Sequence, residues 1–102
     1  MTPAQCRTRE DIRREIDRID RGLIELLVER FGYIQRMADL KDDPAEARID
    51  ARVSDVLAKV TDLARERGLD AELTRALWTK LMDWNIDWEA RAIAARVAKA
   101  TR

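Results

Sequence analysis

Apolar residues recur along the chain in steps of three and four, and those steps divide it into three helical stretches. The first stripe runs Ile12, Ile16, Ile19, Leu23, Leu26, then Ile34, Met37 and Leu40, one face of a helix with 3.6 residues per turn. Thr8 followed by Asp11 can form a capping box at its start. Gly22 and Gly32 weaken the helix locally without stopping it, and Asp42-Asp43-Pro44 ends it. A second stripe (Ile49, Val53, Val56, Val60, Leu63) predicts a helix over residues 49–67, with Gly68 as its stop. Asp70 reads as the N-cap of a third helix reaching residue 99. That helix carries two adjacent stripes: Leu73, Leu77, Leu81, Trp84 and Trp88, and beside them Trp78, Met82, Asn85 and Glu89. With only three Gly and two Pro there is little material for β-turns. The pattern predicts an all-α chain forming a single domain over residues 1–102, with helices at about 9–41, 49–67 and 71–99. Residues 42–47 are expected to be a mobile loop.

The first helix implies a partner. About 33 residues at ~1.5 Å each make a rod of roughly 50 Å, which a compact 102-residue monomer, with a radius of gyration of roughly 13 Å, cannot cover. Two copies wrapped around each other would cover the stripe with two-fold symmetry. A helix bent or broken at Gly32 is the competing explanation.

Composition narrows the chemistry. The chain has no His, one Cys (Cys6) and one Ser (Ser54), which removes His-based acid–base work, Ser–His and Cys–His nucleophiles, and zinc sites built on His and Cys. Twenty basic residues balance twenty acidic ones, where a general binder of nucleic acid or of an anionic membrane would show a basic excess. No apolar run reaches the roughly 18–20 residues of a membrane span, and no hydrophobic signal core is present at the N-terminus. Cys6 reads as an unpaired surface thiol, and the cytoplasm is the expected location.

Cations interrupt the apolar stripes. The step of four beyond Leu26 brings Arg30 instead of an aliphatic residue, and Lys41 follows three turns later on nearly the same face. Such charges need carboxylates from another helix or an anionic ligand. Arg13 flanks the start of the stripe, roughly 25 Å from Arg30 by helical rise, so it could reach the middle of that helix only from an antiparallel second copy. Arg52 flanks the second stripe, and Asn85 and Glu89 stand one turn apart on the third helix. Arginine forks and a lysine point charge suit a small di-anionic carboxylate. The plainer readings are that Arg13, Lys41 and Arg52 are solvated residues, and that Glu89 is an ion-pair partner of Lys41 or Arg30. The three Trp read as core or dimer seam. Spacing alone leads to an anion-binding helical dimer.

Ile12-Arg13 with Ile16, Ile19-Asp20, Leu23, Leu26-Leu27 and Glu29-Arg30, followed by Lys41, resembles the first helix of the all-helical class of chorismate mutases. Arg52 fits the second-helix arginine of that class, and Gly68-Leu69-Asp70 resembles its last interhelical turn. The likeness spans roughly residues 9–92. The block DIRREIDRID, with Cys6 upstream and Arg52-Val53 later, also resembles the isochorismate pyruvate lyases, a branch of the same fold.

The resemblance implies an intertwined homodimer of three-helix chains that works without metal or cofactor. Arg30 and the other chain's Arg13 would hold the substrate carboxylates. Lys41 would donate to the ether oxygen of the breaking C–O bond, with Glu89 as second donor. Arg52 would lie near the ring, and Asn85 would bind substrate from a place where the family often has a small polar residue. The reaction implied is the Claisen rearrangement of chorismate to prephenate, which needs a held conformer and a stabilised ether oxygen, not a nucleophile. Two positions depart from the family pattern. Val53 stands where many mutases carry a Glu that contacts the ring hydroxyl, which favours the alternative of an isochorismate pyruvate lyase making salicylate and pyruvate. A changed ring substituent, as in 4-amino-4-deoxychorismate, is a lesser option. Glu89 stands where bacterial mutases commonly carry Gln; an ionised carboxylate would repel the developing oxyanion, so turnover is expected to rise toward mildly acidic pH. From another class comes a non-catalytic helical dimer, a scaffold or regulator.

Overall fold

A computed structural model describes residues 1–101. Its long elements are α1 (Arg9–Leu40), α2 (Asp50–Arg67) and α3 (Ala71–Ala100), with short 3-10 turns at Pro3–Gln5 and Pro44–Ala47. No strand occurs among the described residues, so the all-α expectation holds. The chain divides into two compact units, residues 1–33 and 34–102, with the boundary inside α1.

In the first unit, α1 begins as the sequence proposes. Thr8 Oγ1 accepts from the Asp11 N–H at 3.0 Å, and Asp11 Oδ2 accepts from the N–H of Thr8 at 3.2 Å and of Arg7 at 3.0 Å. This satisfies donors that a helix start otherwise leaves open. The Arg7 and Thr8 backbone donors, joined by the Arg14 guanidinium, hold the Asp11 carboxyl below the usual aspartate range. The N-terminal segment turns back on the helix: Met1 nitrogen lies 3.2 Å from Glu15 Oε1, and Cys6 is a free thiol. Helix geometry continues through Gly22 and Gly32, so Gly32 does not break α1. The stripe itself is open to solvent within this chain, with Ile16 50%, Leu23 52% and Leu26 64% exposed.

In the second unit, α3 packs against α2 and against the Pro44–Ala47 turn. The segment that the sequence leaves as a mobile loop thus carries a 3-10 turn whose Ala47 is buried. Asp43 caps it by accepting from the Ala45 N–H at 3.0 Å, and Arg48 at its end pairs with Asp83 on α3 at 2.8 Å. Gly68 ends α2 in the left-handed region (φ 79°), a conformation that costs residues with a Cβ. Asp70 then caps α3, its Oδ1 accepting from the Leu73 N–H at 2.9 Å.

The core of this unit is Ala38, Ala47 and Ile93, with Ile86, Trp88, Ala90, Ala92 and Val97 packed on it. Of the two stripes on α3, the one with polar members is the buried one. Met82, Asn85, Glu89 and Ile93 are 6%, 5%, 4% and 0% exposed, while Leu73, Leu77 and Trp84 are about half exposed. Burying a carboxylate and an amide is costly unless each finds a partner, so this face is where chemistry is to be sought.

Candidate functional site

Lys41 is the first residue after α1, and the end of that helix sets it opposite α3. Its Nζ lies 2.7 Å from Glu89 Oε1, with the two side chains only 15% and 5% exposed. Of the two partners the sequence offers Glu89, Lys41 is in contact with it. Asn85, one turn earlier on the same buried face, brings an amide beside this pair. An ammonium has three N–H donors, and Glu89 occupies one direction. The remaining donors suit an oxygen that gains negative charge.

The backbone of Lys41 is held as firmly as its side chain. Arg96 Nη2 donates to the Ala38 carbonyl at 3.1 Å and to the carbonyl of Lys41, and its Nη1 lies 3.8 Å from Asp42 Oδ1. The sequence pattern did not mark Arg96. The available signal was indirect: α1 has no basic residue in its last turn and no glycine behind it, so its terminal carbonyls need a donor from elsewhere.

The other candidate residues stand as follows. Arg13 is exposed on α1 and pairs with Glu10 at 2.5 Å. Arg30 is partly buried, with its Nη1 shielded from solvent. Arg52 is exposed on α2 and pairs with Asp55 at 3.0 Å. Lys59 and then Arg52 hold that Asp55 carboxyl below its usual range. Val53, beside Arg52, is half-buried and apolar. The structure therefore brings Lys41 and Glu89 into contact and puts Asn85 on the same α3 face, while Arg13 and Arg52 are engaged on the surface of their own helices. Among the described residues no group of three or more Asp, Glu or Cys is arranged to hold a metal, and no helix is long and apolar enough to cross a membrane.

The described site thus combines a buried lysine–carboxyl contact with arginines along the first two helices of an all-helical frame. The chain belongs to the chorismate mutase type II family, whose sequence pattern matches residues 12–90. It is also 33% identical over 85 residues to an isochorismate pyruvate lyase of Pseudomonas aeruginosa, an alignment covering 83% of this chain and 84% of that protein. The likeness first carried by Arg13, Arg30, Lys41 and Arg52 is thus a family relationship, including its lyase branch.

Proposed function

We propose that this protein is a chorismate mutase, its whole length acting as one helical domain that works as an intertwined homodimer in the cytoplasm. The observation that carries the reading is the buried contact between Lys41 and Glu89 at 2.7 Å. In a Claisen rearrangement the ether C–O bond breaks as a C–C bond forms, and negative charge builds on the ether oxygen. A preorganised ammonium in a shielded site is what stabilises that charge. No nucleophile, metal or cofactor is required.

Family membership supports the remaining assignments. Arg30 and Arg13 of a second copy bind the two carboxylates, Arg52 lies near the ring, Asn85 lines the substrate pocket, and Glu89 stands with Lys41 at the ether oxygen. The uncovered Ile16, Leu23 and Leu26 supply the surface for the second copy. The occupant of the site is a small di-anion, not a nucleic acid or a membrane.

Val53 and the likeness to a lyase favour a second reading, isochorismate pyruvate lyase. There the same C–O bond breaks while a ring hydrogen moves to the enolpyruvyl methylene, leaving salicylate and pyruvate. The same cations serve both reactions. Chorismate and isochorismate assayed side by side, with prephenate and salicylate followed separately, test the proposal. Prephenate as the main product supports the mutase. Dominant salicylate makes the protein a lyase with Val53 as its marker, and silence on both leaves a non-catalytic helical dimer. Arg30→Ala is expected to abolish turnover with the fold retained; a scaffold would keep or gain stability and have no turnover to lose.

A further inference from the structure

We propose that Arg96 is a positioning residue that sets Lys41 for its work by closing the end of α1. The last four carbonyls of a helix lack internal partners, and a cation there is favourable. Helices usually meet this need locally, with a Gly behind them or a basic residue in the last turn. α1 has neither. The donor comes instead from α3, fifty-odd residues downstream: Arg96 Nη2 reaches the carbonyls of Ala38 and Lys41 at sequence separations of 58 and 55. The carboxylate of Asp42 stands 3.8 Å from its other nitrogen, so the guanidinium is bracketed on the far side too.

The consequence lies in where Lys41 sits. It is the first residue outside α1, where backbone torsions are no longer fixed by the helix ladder. Arg96 bonds to its carbonyl, while Glu89 engages its Nζ at 2.7 Å. Glu89 and Arg96 are seven residues apart, two turns along one face of α3, and Ile93 between them is fully buried. One rigid helix face therefore holds both ends of the same lysine. Arginine suits this place because its planar fork can serve two carbonyls and a carboxylate at once.

The kinetic half of this inference rests on the function proposed above; the structural half does not. Arg96→Gln is expected to lower kcat on whichever substrate the protein turns over by roughly ten- to a hundredfold, the cost of misplacing a reacting group by about 1 Å. kcat/KM should fall equally, because the misplaced donor acts in the transition state. Arg96→Lys, which keeps the charge but not the fork, should recover only part of the loss. In a Lys41→Ala background, Arg96→Gln should cost less than about twofold more, since the residue it positions is gone. A loss of the same size in both backgrounds would assign Arg96 a merely structural role and overturn the proposal.

An activity-independent readout separates this failure from failure of the functional reading. Acylation of lysines followed by mass spectrometry should show Lys41 protected in the folded protein. In folded Arg96→Gln, Lys41 should label several-fold faster, while the exposed Lys59 stays unchanged as an internal control. Wild-type protein inert on both substrates would sink the proposed function, and the labelling would then decide the positioning alone. Unchanged Lys41 labelling in Arg96→Gln overturns it.

Discussion

Glu89 Oε1 lies 2.7 Å from Lys41 Nζ, and neither side chain is more than 15% exposed. A base at the end of α1 and an acid on α3 thus share one dry contact. Such a pair is costly to desolvate and weak evidence of stability, which fits the role at the ether oxygen proposed for it. A carboxylate at this place opposes charge on an ether oxygen, where a neutral amide would add a donor.

Glu89→Gln replaces that charge by a neutral donor of the same shape, so turnover is expected to be kept or to rise, while Glu89→Ala, which leaves Lys41 without its anchor, should lower it about tenfold or more. Initial rates of the three proteins check this. A Glu89→Gln protein as impaired as Glu89→Ala would remove the assigned role of Glu89.

Removing one member of the pair should cost more stability than removing both. Lys41→Met alone leaves a buried carboxylate without its cation and is expected to cost about 3 kcal/mol of stability. Lys41→Met with Glu89→Leu should recover most of that, while turnover stays roughly a hundred- to a thousandfold down. Urea unfolding followed by circular dichroism measures the stabilities. A double variant as unstable as Lys41→Met would mean that the pair is structural.

Mixing two inactive variants tests the sharing of Arg13 across a dimer. Arg13→Ala and Arg30→Ala homodimers should each be inactive. Unfolded and refolded together, they form heterodimers in which one site carries both changes and the other neither, so about a quarter of wild-type activity should return, given two-fold symmetry and random pairing. No recovery, with heterodimers verified by mass spectrometry, would place both arginines in the same chain's site or in none.

The turn between α2 and α3 should respond as a local unit. Asp70→Ala removes a cap and is expected to cost about 1 kcal/mol. Gly68→Ala forces a Cβ into the left-handed region and should cost a similar amount, about 1–2 kcal/mol. The Cβ would meet nothing within 4 Å, so the cost is conformational. Thermal melts of both variants check it, and a Gly68→Ala protein as stable as wild type would contradict the backbone argument.

Acid should loosen the first unit in a predictable direction. Asp11 is held below its usual range by the Arg7 and Thr8 amides, and Glu15 by the Arg18 guanidinium and the N-terminal ammonium. Both bind a proton less readily folded than unfolded. Their contribution is therefore complete above the usual carboxylate range and is lost as pH falls through the lowered values. The melting temperature should drop below about pH 4, with a smaller drop in Asp11→Asn, which has already lost its carboxylate contribution at neutral pH. Identical acid limbs for the two proteins would exclude Asp11 as a contributor.

Much of this was legible along the chain because it is local. Thr8 with Asp11, Gly68 as a stop and Asp70 as a cap depend on groups three or four residues apart, and the structure shows each as the spacing proposes. The cations that interrupt the stripes, Arg30 and Lys41, pointed to an anion before any fold was known, and their order along the chain carried the family. The stripe at Ile16 and Leu23 also announced a surface that one chain leaves open.

Other features are through-space facts. The sequence shows two stripes on α3 and does not choose between them. In the structure Met82, Asn85, Glu89 and Ile93 are buried, while Leu73, Leu77 and Trp84 stay about half exposed. The pairing of Glu89 with Lys41, and the reach of Arg96 to the carbonyl of Lys41, join residues that no periodicity relates. Helices and caps are set by neighbours within a turn, and so the sequence by itself determined them; which faces meet depends on how whole helices dock, and only the tertiary structure decided that.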